Sequence, residues 1–474
     1  MEKNEHLPAP SSVKNNPLPF YSLALIGLML FFLIVFDNFY YFLVEDSVDA
    51  LFIIPCMFLL GSACVGGVSP AAAKKLGLCL AVVVWLGLVQ LFRREWDDWN
   101  TRMMGMYLVA FPFAALTRDD KKGLNILAAF YLAGSLVIAC YTALLLLDSL
   151  HYYLQSFVYW QGARLYVFRH PNTTGSILLI SVGFYLYFWA QVTVKWQKWL
   201  LGIGLAVLFT MLALTNSRTC IGIACILVGG AVFFALNKGS WKRFLTAAIA
   251  GVLVLVSLFF ATQILWKIHN DALIAKYTAP ASTGSSAAVD ETNAVSQSSN
   301  QPSSQSYLIV NAATGETEIA GGGQGTLKSN LGSLNGRTAI WNACLAAVRD
   351  NKSVLLWGTS DVPQLLANNG IAAAHAHNSW LEILLQLGIP ALLFALILTA
   401  SAVWSSISLL LSKEQPLCRK YIALLTLCLL LNGILEPFLF STSISFFSIE
   451  FPTLLCIGYT SHWRALEKAP GKQA

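Results

Sequence analysis

Two histidines, His375 and His377, precede Asn378 and a long apolar run in the segment AHAHNSWLEILLQLGIPALLF, which begins at Ala374. Imidazole is the side chain whose ordinary pKa lies nearest to neutral pH, so histidine is a common general base in enzymes. A lone histidine at a helix end is also typical of a cap or of a residue at the membrane interface. The pair therefore indicates a catalytic base only together with other polar residues at the same place.

Arginines supply such residues in two short segments, with Arg218 in TNSRT (residues 215–219) and Arg337 in GRTAIW (residues 336–341). A guanidinium group is planar, stays charged and binds phosphate oxygens through two parallel hydrogen bonds. Arg218 fits either a phosphate contact or snorkelling to lipid headgroups, because its turn is short enough to lie at the interface in both cases. The two segments therefore indicate an anion site, and the alternative for Arg218 is contact with lipid headgroups.

A further polar segment, RLYVFRHPNTTG (residues 164–175), contains Arg164 and Arg169. Its Pro171 and Asn172 suit the first turn of a helix, where proline needs no donor and asparagine can bond the backbone. We interpret the HPN triplet as structural.

The composition places these residues in a membrane protein, because 56% of the chain is hydrophobic and only 11% is charged. Soluble domains carry about 25% charged residues. The net charge of +6 does not indicate nucleic-acid binding, since the basic residues are spread between apolar segments and form no single patch.

Apolar segments near the length of about 20 residues that a membrane helix needs occur along most of the chain. We predict an all-α polytopic membrane protein with about 12 transmembrane helices. The predicted spans are 18–37, 48–67, 72–92, 103–117, 123–147, 171–190, 197–215, 219–237, 243–265, 378–411, 420–438 and 443–462.

Charge predicts the orientation of these spans. With both termini in the cytoplasm, 18 of the 30 basic residues lie on the inner side, and 14 of those are Lys. The 12 outward residues are 8 Arg and 4 Lys, and for Arg93, Arg94 and Arg102 we favour interfacial anchoring. This orientation predicts the cytoplasmic (inner) membrane and places all of the polar segments at its outer face, towards the periplasm or cell exterior.

The predicted domains follow from the spans and from one large external loop between helices 9 and 10. Residues 1–265 form an N-terminal membrane bundle, and residues 378–474 form a C-terminal one. Residues 266–333 are a flexible, low-complexity insert with too few large apolar residues to order itself, apart from a weak hairpin in YLIVNAATGETEIAGGG. Residues 334–377 contain an amphipathic surface helix, with Ile340, Cys344, Ala347 and Val348 at helical spacing.

These motifs resemble the O-antigen ligase and polymerase family, which are membrane glycosyltransferases that use undecaprenyl-pyrophosphate-linked glycans. The resemblance covers most of the chain: the twelve spans, the long external loop, HPN, the SR turn, the R-x-x-x-W helix start, and HN-x-x-LE with Gly388 after it. It implies a GT-C-like architecture. It also implies that Arg218 and Arg337 clamp the pyrophosphate and that His377 is the family's catalytic histidine.

The resemblance implies a metal-independent, inverting transfer of the glycan to an acceptor sugar hydroxyl. Arginine charge stabilises the leaving pyrophosphate, and histidine removes the acceptor proton. His375 is a supporting candidate for the base, so the choice between the two histidines stays open. We include His375, Asn378, Arg169 and Arg164 with Arg218 and Arg337 as substrate-binding residues, and we expect no cofactor and no metal.

The expected partners are the undecaprenyl-pyrophosphate-linked donor, a lipid-core or glycan acceptor, and membrane lipids. Ligase and polymerase differ only in the acceptor, so a polymerase is the first alternative and a protein O-oligosaccharyltransferase the second. A polytopic transporter is the third, but it would carry charged residues near the membrane midplane. Glu450 is the most deeply placed ionisable residue, and Asp97 and Asp98 leave a metal site as a minor alternative.

Overall fold

The structure is a computed structural model. It describes residues 18–36, 81, 84–93, 120–145, 159–161, 164–166, 171–237, 240–278, 307–310, 317–320, 334–371, 373, 375–439 and 447–467. The first helices are α1 (Leu18–Phe36), α2 (Val84–Arg93), α3 (Asp120–Leu145), α4 (Pro171–Gln191), α5 (Lys195–Thr215), α6 (Arg218–Leu236) and α7 (Trp241–Thr278). The later helices are α8 (Leu334–Asp350), α9 (Lys352–Trp357), α10 (Val362–Asn368), α11 (Ser379–Leu411), α12 (Leu417–Leu435) and α13 (Phe447–Glu467).

Short strands form two antiparallel hairpins. In the first, β1 (Tyr159–Gln161) pairs with β2 (Arg164–Tyr166) just before α4. In the second, β3 (Tyr307–Val310) pairs with β4 (Thr317–Ala320). The second hairpin confirms the one predicted in YLIVNAATGETEIAGGG.

Seven of the described helices are long and apolar enough to cross a membrane, namely α3 to α7, α11 and α12. This confirms the all-α polytopic membrane fold. The number of twelve spans stays a prediction, because the predicted spans 48–67 and 103–117 lie outside the described residues.

The bundle is built around α4 and α12. Almost all of α4 from Pro171 to Tyr187 is buried, and α12 packs against α4, α6 and α11. By contrast, α7 contacts α6 and α5 but leaves a row of large apolar side chains exposed along its length. A membrane-spanning helix at the edge of a bundle is expected to expose such an apolar face to lipid. α7 also continues to Thr278, beyond the predicted span end at residue 265.

The amphipathic helix predicted in residues 334–377 is α8. Ile340, Cys344, Ala347 and Val348 are all buried, as their spacing predicted. With α9, α10 and the first turns of α11, this face forms a small apolar cluster of its own. The cluster fixes α8 to the start of α11.

A kink in α11 is held by side chains and backbone from outside the helix. Gly388 has φ 78° and ψ −176°, and Pro390 cannot supply the N–H that would normally bond the carbonyl of Gln386. Arg93 instead donates to the carbonyls of Gln386 and Trp357. Arg93, for which the sequence favours interfacial anchoring, is thus bound inside the protein, where it replaces a missing helix donor. Arg94 and Arg102 lie outside the described residues.

Candidate active site at one end of the helix bundle

Several helices begin at the same end of the bundle. The start of α4 packs on the start of α6, where a Cβ built on Gly175 would lie 3.0 Å from the Cβ of Ser217. The start of α11 meets the end of α12, because Ser379 Oγ donates to the carbonyl of Glu436 at 2.8 Å. We call this end of the bundle the site end. Helix N-termini carry partial positive charge and unpaired N–H groups, so their grouping favours an anion.

The carboxylate of Glu436 connects three of these elements. Its Oε1 accepts from Arg337 Nη2 of α8 at 2.7 Å and from Asn172 Nδ2 of α4 at 2.7 Å. The side chains of Arg337 and Glu436 are 10% and 2% exposed, so the pair is removed from water. Buried charges are tolerated when they are paired and hydrogen-bonded, as here.

The backbone around Glu436 is fixed from α11. Glu436 follows the last turn of α12, and Ser379 Oγ both donates to its carbonyl and accepts from the amide of Leu439 at 3.0 Å. Asn378 Nδ2 donates to the carbonyl of Ile434 at 2.9 Å. The carboxylate therefore has a defined position relative to the start of α11.

His377 lies beside this carboxylate. Its Nδ1 is 3.8 Å from Glu436 Oε2, too long for a hydrogen bond, and its side chain is 24% exposed. The backbone of His377 has φ +50°, a left-handed conformation that is uncommon for residues other than glycine and that clusters at active sites and ligand clamps. The rings of His375 and His377 meet edge to face, with centroids 4.1 Å apart.

The peptide between the two histidines is held on both sides. Trp341 Nε1 of α8 donates to the carbonyl of Ala376 at 3.0 Å, and Glu382 Oε2 of α11 accepts from its amide at 2.7 Å. Gln386 Nε2 in turn donates to the other oxygen of Glu382 at 2.7 Å. These bonds hold the backbone of residues 375–377, which we call the histidine loop.

Asn378, predicted to bind substrate, is the N-cap of α11. Its Oδ1 accepts from the amides of Trp380 and Leu381, both at 3.0 Å, while its Nδ2 is bound to Ile434. Both ends of the amide are therefore engaged within the protein. A role in substrate binding stays a prediction.

A buried polar network lies behind Glu436 in the bundle. Asn432 Nδ2 donates to Ser176 Oγ at 2.8 Å, and Ser176 Oγ donates to the carbonyl of Asn172 at 3.0 Å. Cys220 Sγ lies 3.7 Å from the same carbonyl. The network connects α12, α4 and α6. It also holds the first turn of α4, from which the Asn172 side chain reaches Glu436.

Arg218 is the first residue of α6 and is exposed at the site end. The turn before it contains only Asn216 and Ser217, and Asn216 adopts φ +46°, which confirms the tight turn predicted in TNSRT. Among the described residues, none accepts a hydrogen bond from its guanidinium. Arg218 therefore combines a full positive charge with a helix N-terminus at an open surface, an arrangement that suits a phosphate.

The remaining predicted site residues are less well placed by the structure. Arg164 is in β2, and nothing is described of its side chain, while Arg169 lies outside the described residues. Asp97 and Asp98 also lie outside them. Among the described residues, no group of three His, Cys, Asp or Glu side chains is arranged to hold a metal ion. Metal independence stays a prediction.

Sequence reasoning missed Glu436 and the full role of Asn172. Pro171 does begin α4, as predicted, but the Asn172 side chain reaches Glu436 in addition to its place in the first turn. Glu436 had a detectable signal, since it is an acidic residue inside the apolar run NGILEPFLF at the end of a predicted span.

The helices and the site define a polytopic membrane protein whose polar groups, a buried Arg–Glu pair and a histidine loop, meet at one end of the bundle. Residues 203–396 match the family model described as O-antigen ligase, which confirms the family resemblance predicted from the motifs. The matched segment contains Arg218, Arg337, His375, His377 and Asn378, while Asn172 and Glu436 lie on either side of it. The match supports a membrane enzyme of the glycan ligase or glycosyltransferase type. The comparison with curated proteins gives no match.

Proposed function

We propose that the protein transfers a glycan from an undecaprenyl-pyrophosphate-linked donor to a sugar hydroxyl of an acceptor, as an O-antigen ligase does. The observation that supports this most strongly is the position of His377 and Arg337 around one buried carboxylate, within a segment that matches the O-antigen ligase family. A base and a phosphate-binding cation at one site are the two groups that this transfer needs.

In the proposed reaction, the acceptor oxygen attacks the anomeric carbon while the bond from that carbon to the pyrophosphate oxygen breaks. The acceptor proton moves to His377. The electron pair of the broken bond stays on the leaving undecaprenyl pyrophosphate, whose charge is stabilised by Arg337 and Arg218. Attack opposite to the leaving group inverts the anomeric centre.

The position of Arg337 suits this role although it is paired. Its Nη2 is bound to Glu436, and a guanidinium has further N–H groups with which it can contact a phosphate. The pairing also fixes the plane of the fork before the donor arrives, so less conformational entropy is lost on binding. Arg218 adds a second cation at the exposed rim of the same end.

The proposed orientation places the site end at the outer face of the cytoplasmic membrane, where the donor's headgroup is presented. A reporter that is active only outside the cytoplasm should work when inserted at Ser298 and fail when inserted at Lys413. The opposite pattern would place the site in the cytoplasm and contradict this part of the proposal.

The test of function is transfer by the purified full-length protein. The donor is a synthetic polyprenyl-pyrophosphate oligosaccharide, and the acceptors are a lipid-core preparation in one arm and a second molecule of the donor in the other. Product in the first arm identifies a ligase, and chain extension in the second identifies a polymerase. Absence of released polyprenyl pyrophosphate in both arms would contradict glycan transfer.

Arg337→Lys provides a residue-level control in the same assay. Lysine keeps the charge but loses the planar fork, so we expect the KM for the donor to rise by about tenfold. The matched variant Arg243→Lys makes the same exchange at an exposed position at the start of α7, at the opposite end of the bundle. It should leave the KM unchanged.

A further inference from the structure

We infer that Glu436 is a positioning residue for His377, and this inference rests on the proposed glycan transfer. In the reacting complex, Oε2 of Glu436 accepts a hydrogen bond from Nδ1–H of His377. The Nε2 atom then faces the acceptor hydroxyl, and the carboxylate stabilises the imidazolium that forms when Nε2 takes the proton.

The two oxygens of Glu436 have different surroundings. Oε1 accepts from Arg337 and Asn172, both at 2.7 Å. These two bonds, donated from α8 and α4, restrict the rotation of the carboxylate. Oε2 is the oxygen that faces the imidazole, with Nδ1 of His377 at 3.8 Å. The bonds at Oε1 therefore aim Oε2 at the ring.

A movement of about 1 Å would turn this approach into a hydrogen bond. Hydrogen bonds at Ala376 hold the loop backbone, but the His377 side chain is 24% exposed, whereas the Glu436 side chain is only 2% exposed. Rotation of the His377 side chain is therefore the movement that closes the gap, and the carboxylate is the fixed part. Catalytic hydrogen bonds are often long without substrate and shorten in the substrate complex.

The other charged or titratable side chains that the described residues bring to this place are few. Arg337 provides the counter-charge of Glu436, and the His375 ring touches that of His377. Cys220 reaches the Asn172 carbonyl, and Glu382 reaches the histidine loop at the Ala376 amide. Glu436 is the carboxylate that faces Nδ1 of His377.

A role of Glu436 limited to neutralising Arg337 would need Oε1 alone. Such a role predicts that a neutral substitution changes stability but leaves the titration of His377 where it was. A positioning role predicts a change in the titration itself, because a nearby carboxylate favours the protonated imidazole and its removal favours the neutral one. The two roles are therefore separable by pH dependence.

The experiment measures His377 titration without relying on activity. Only neutral imidazole reacts with diethyl pyrocarbonate, so the rate at which His377 is modified, located by tandem mass spectrometry, is followed against pH in the purified full-length protein without donor. We expect Glu436→Gln to move the midpoint to lower pH, because removal of a nearby negative charge favours the neutral imidazole. Glu436→Asp keeps the charge and should keep the wild-type midpoint. Glu414→Gln, at an exposed position in the turn between α11 and α12, is the matched control and should also keep it.

Transfer kinetics give the second readout, with the synthetic polyprenyl-pyrophosphate oligosaccharide as donor. In Glu436→Gln, the acidic limb of the kcat profile should move to lower pH together with the modification midpoint. Its plateau should fall at least tenfold, while the KM for the donor changes much less. In the serine protease triad, loss of the carboxylate that orients the catalytic histidine lowers kcat by about 10⁴-fold. This value is the upper limit of the decrease in kcat that we expect.

An unchanged modification midpoint together with an unchanged acidic limb of the kcat profile in folded Glu436→Gln would overturn the inference. If Glu436→Gln is not recovered folded, Arg337→Gln is compared with Arg337→Gln/Glu436→Gln, in which no buried charge is left unpaired. The double variant should have the lower midpoint, and equal midpoints would also overturn the inference. A shifted midpoint in a protein that transfers no glycan would uphold the pairing and contradict the proposed function instead.

Discussion

Arg337 and Glu436 form a buried ion pair, with Nη2 of the arginine 2.7 Å from Oε1 of the glutamate. Arg337 belongs to α8, and Glu436 follows the last turn of α12. The pair thus joins α8 to the helix bundle beside His377.

The first prediction concerns stability. Glu436→Ala leaves Arg337 buried without its partner, so the free energy of unfolding should fall by about 3–5 kcal/mol. The double variant Arg337→Met/Glu436→Leu removes both charges and should recover most of that loss. Thermal unfolding in detergent, followed by tryptophan fluorescence, measures both.

The exposed pair Arg349–Asp350 is the control, since 77% and 62% of its side chains are exposed. Asp350→Ala should leave the unfolding temperature unchanged. A double variant as unstable as Glu436→Ala would show that packing, rather than an unpaired charge, dominates at this position.

The second prediction concerns the histidine loop. Trp341→Phe keeps the aromatic ring but removes the Nε1–H that donates to the Ala376 carbonyl. One hydrogen bond contributes about 0.5–1.5 kcal/mol, so kcat should fall by about three- to tenfold through looser positioning of His377. Trp199→Phe, at an exposed position on α5, is the matched control and should leave kcat unchanged. A larger decrease in kcat for Trp199→Phe than for Trp341→Phe would contradict the positioning of His377 by this hydrogen bond.

The third prediction concerns Arg218, for which the sequence leaves a phosphate contact and snorkelling open. The exposed guanidinium at the N-terminus of α6 favours the phosphate contact. Arg218→Lys should then raise the KM for the synthetic donor by about tenfold, because lysine lacks the two-pronged geometry. A KM equal to that of the wild type would show that the side chain only reaches lipid headgroups.

The fourth prediction concerns Cys344 of α8. Burial, with a smaller effect from the charge of Glu382, raises the pKa of this thiol to about 12. The thiolate is the reactive form, so a maleimide should fail to label Cys344 in the folded protein at neutral pH and should label it after unfolding. Rapid labelling of the folded protein at pH 7, detected by peptide mass spectrometry, would mean that α8 is not packed as described.

The fold was predictable wherever the apolar periodicity was long and uninterrupted. The spans that correspond to α4, α5, α6 and α12 were placed within a few residues, and the buried face of α8 followed from Ile340, Cys344 and Val348. The end of α7 was not predicted, because its last turns continue as a helix after the apolar run ends. The kink at Gly388 depends on Arg93 and Trp357, which no local pattern connects to α11.

The candidate site was predictable only in part. Residue type alone indicated Arg337 and His377 as candidates. Glu436 becomes a candidate only through its three neighbours in space, Arg337, His377 and Asn172, which lie far from it in sequence. Residue type predicts a substrate ligand at Asn378, although its place before an apolar run also matches the N-cap that the structure shows. Tertiary contacts, and not residue type alone, distinguish these roles.

The most direct test of the account is the replacement of His377 by alanine. The variant should still insert into the membrane and bind the synthetic polyprenyl-pyrophosphate oligosaccharide with a Kd near that of the wild type, since Arg218 and Arg337 remain in place. Its kcat for transfer without added metal should fall by about 10²–10⁴-fold, as expected when a general base is lost. A kcat near that of the wild type would contradict the role of His377 as the base and would shift that role to His375 or to another group.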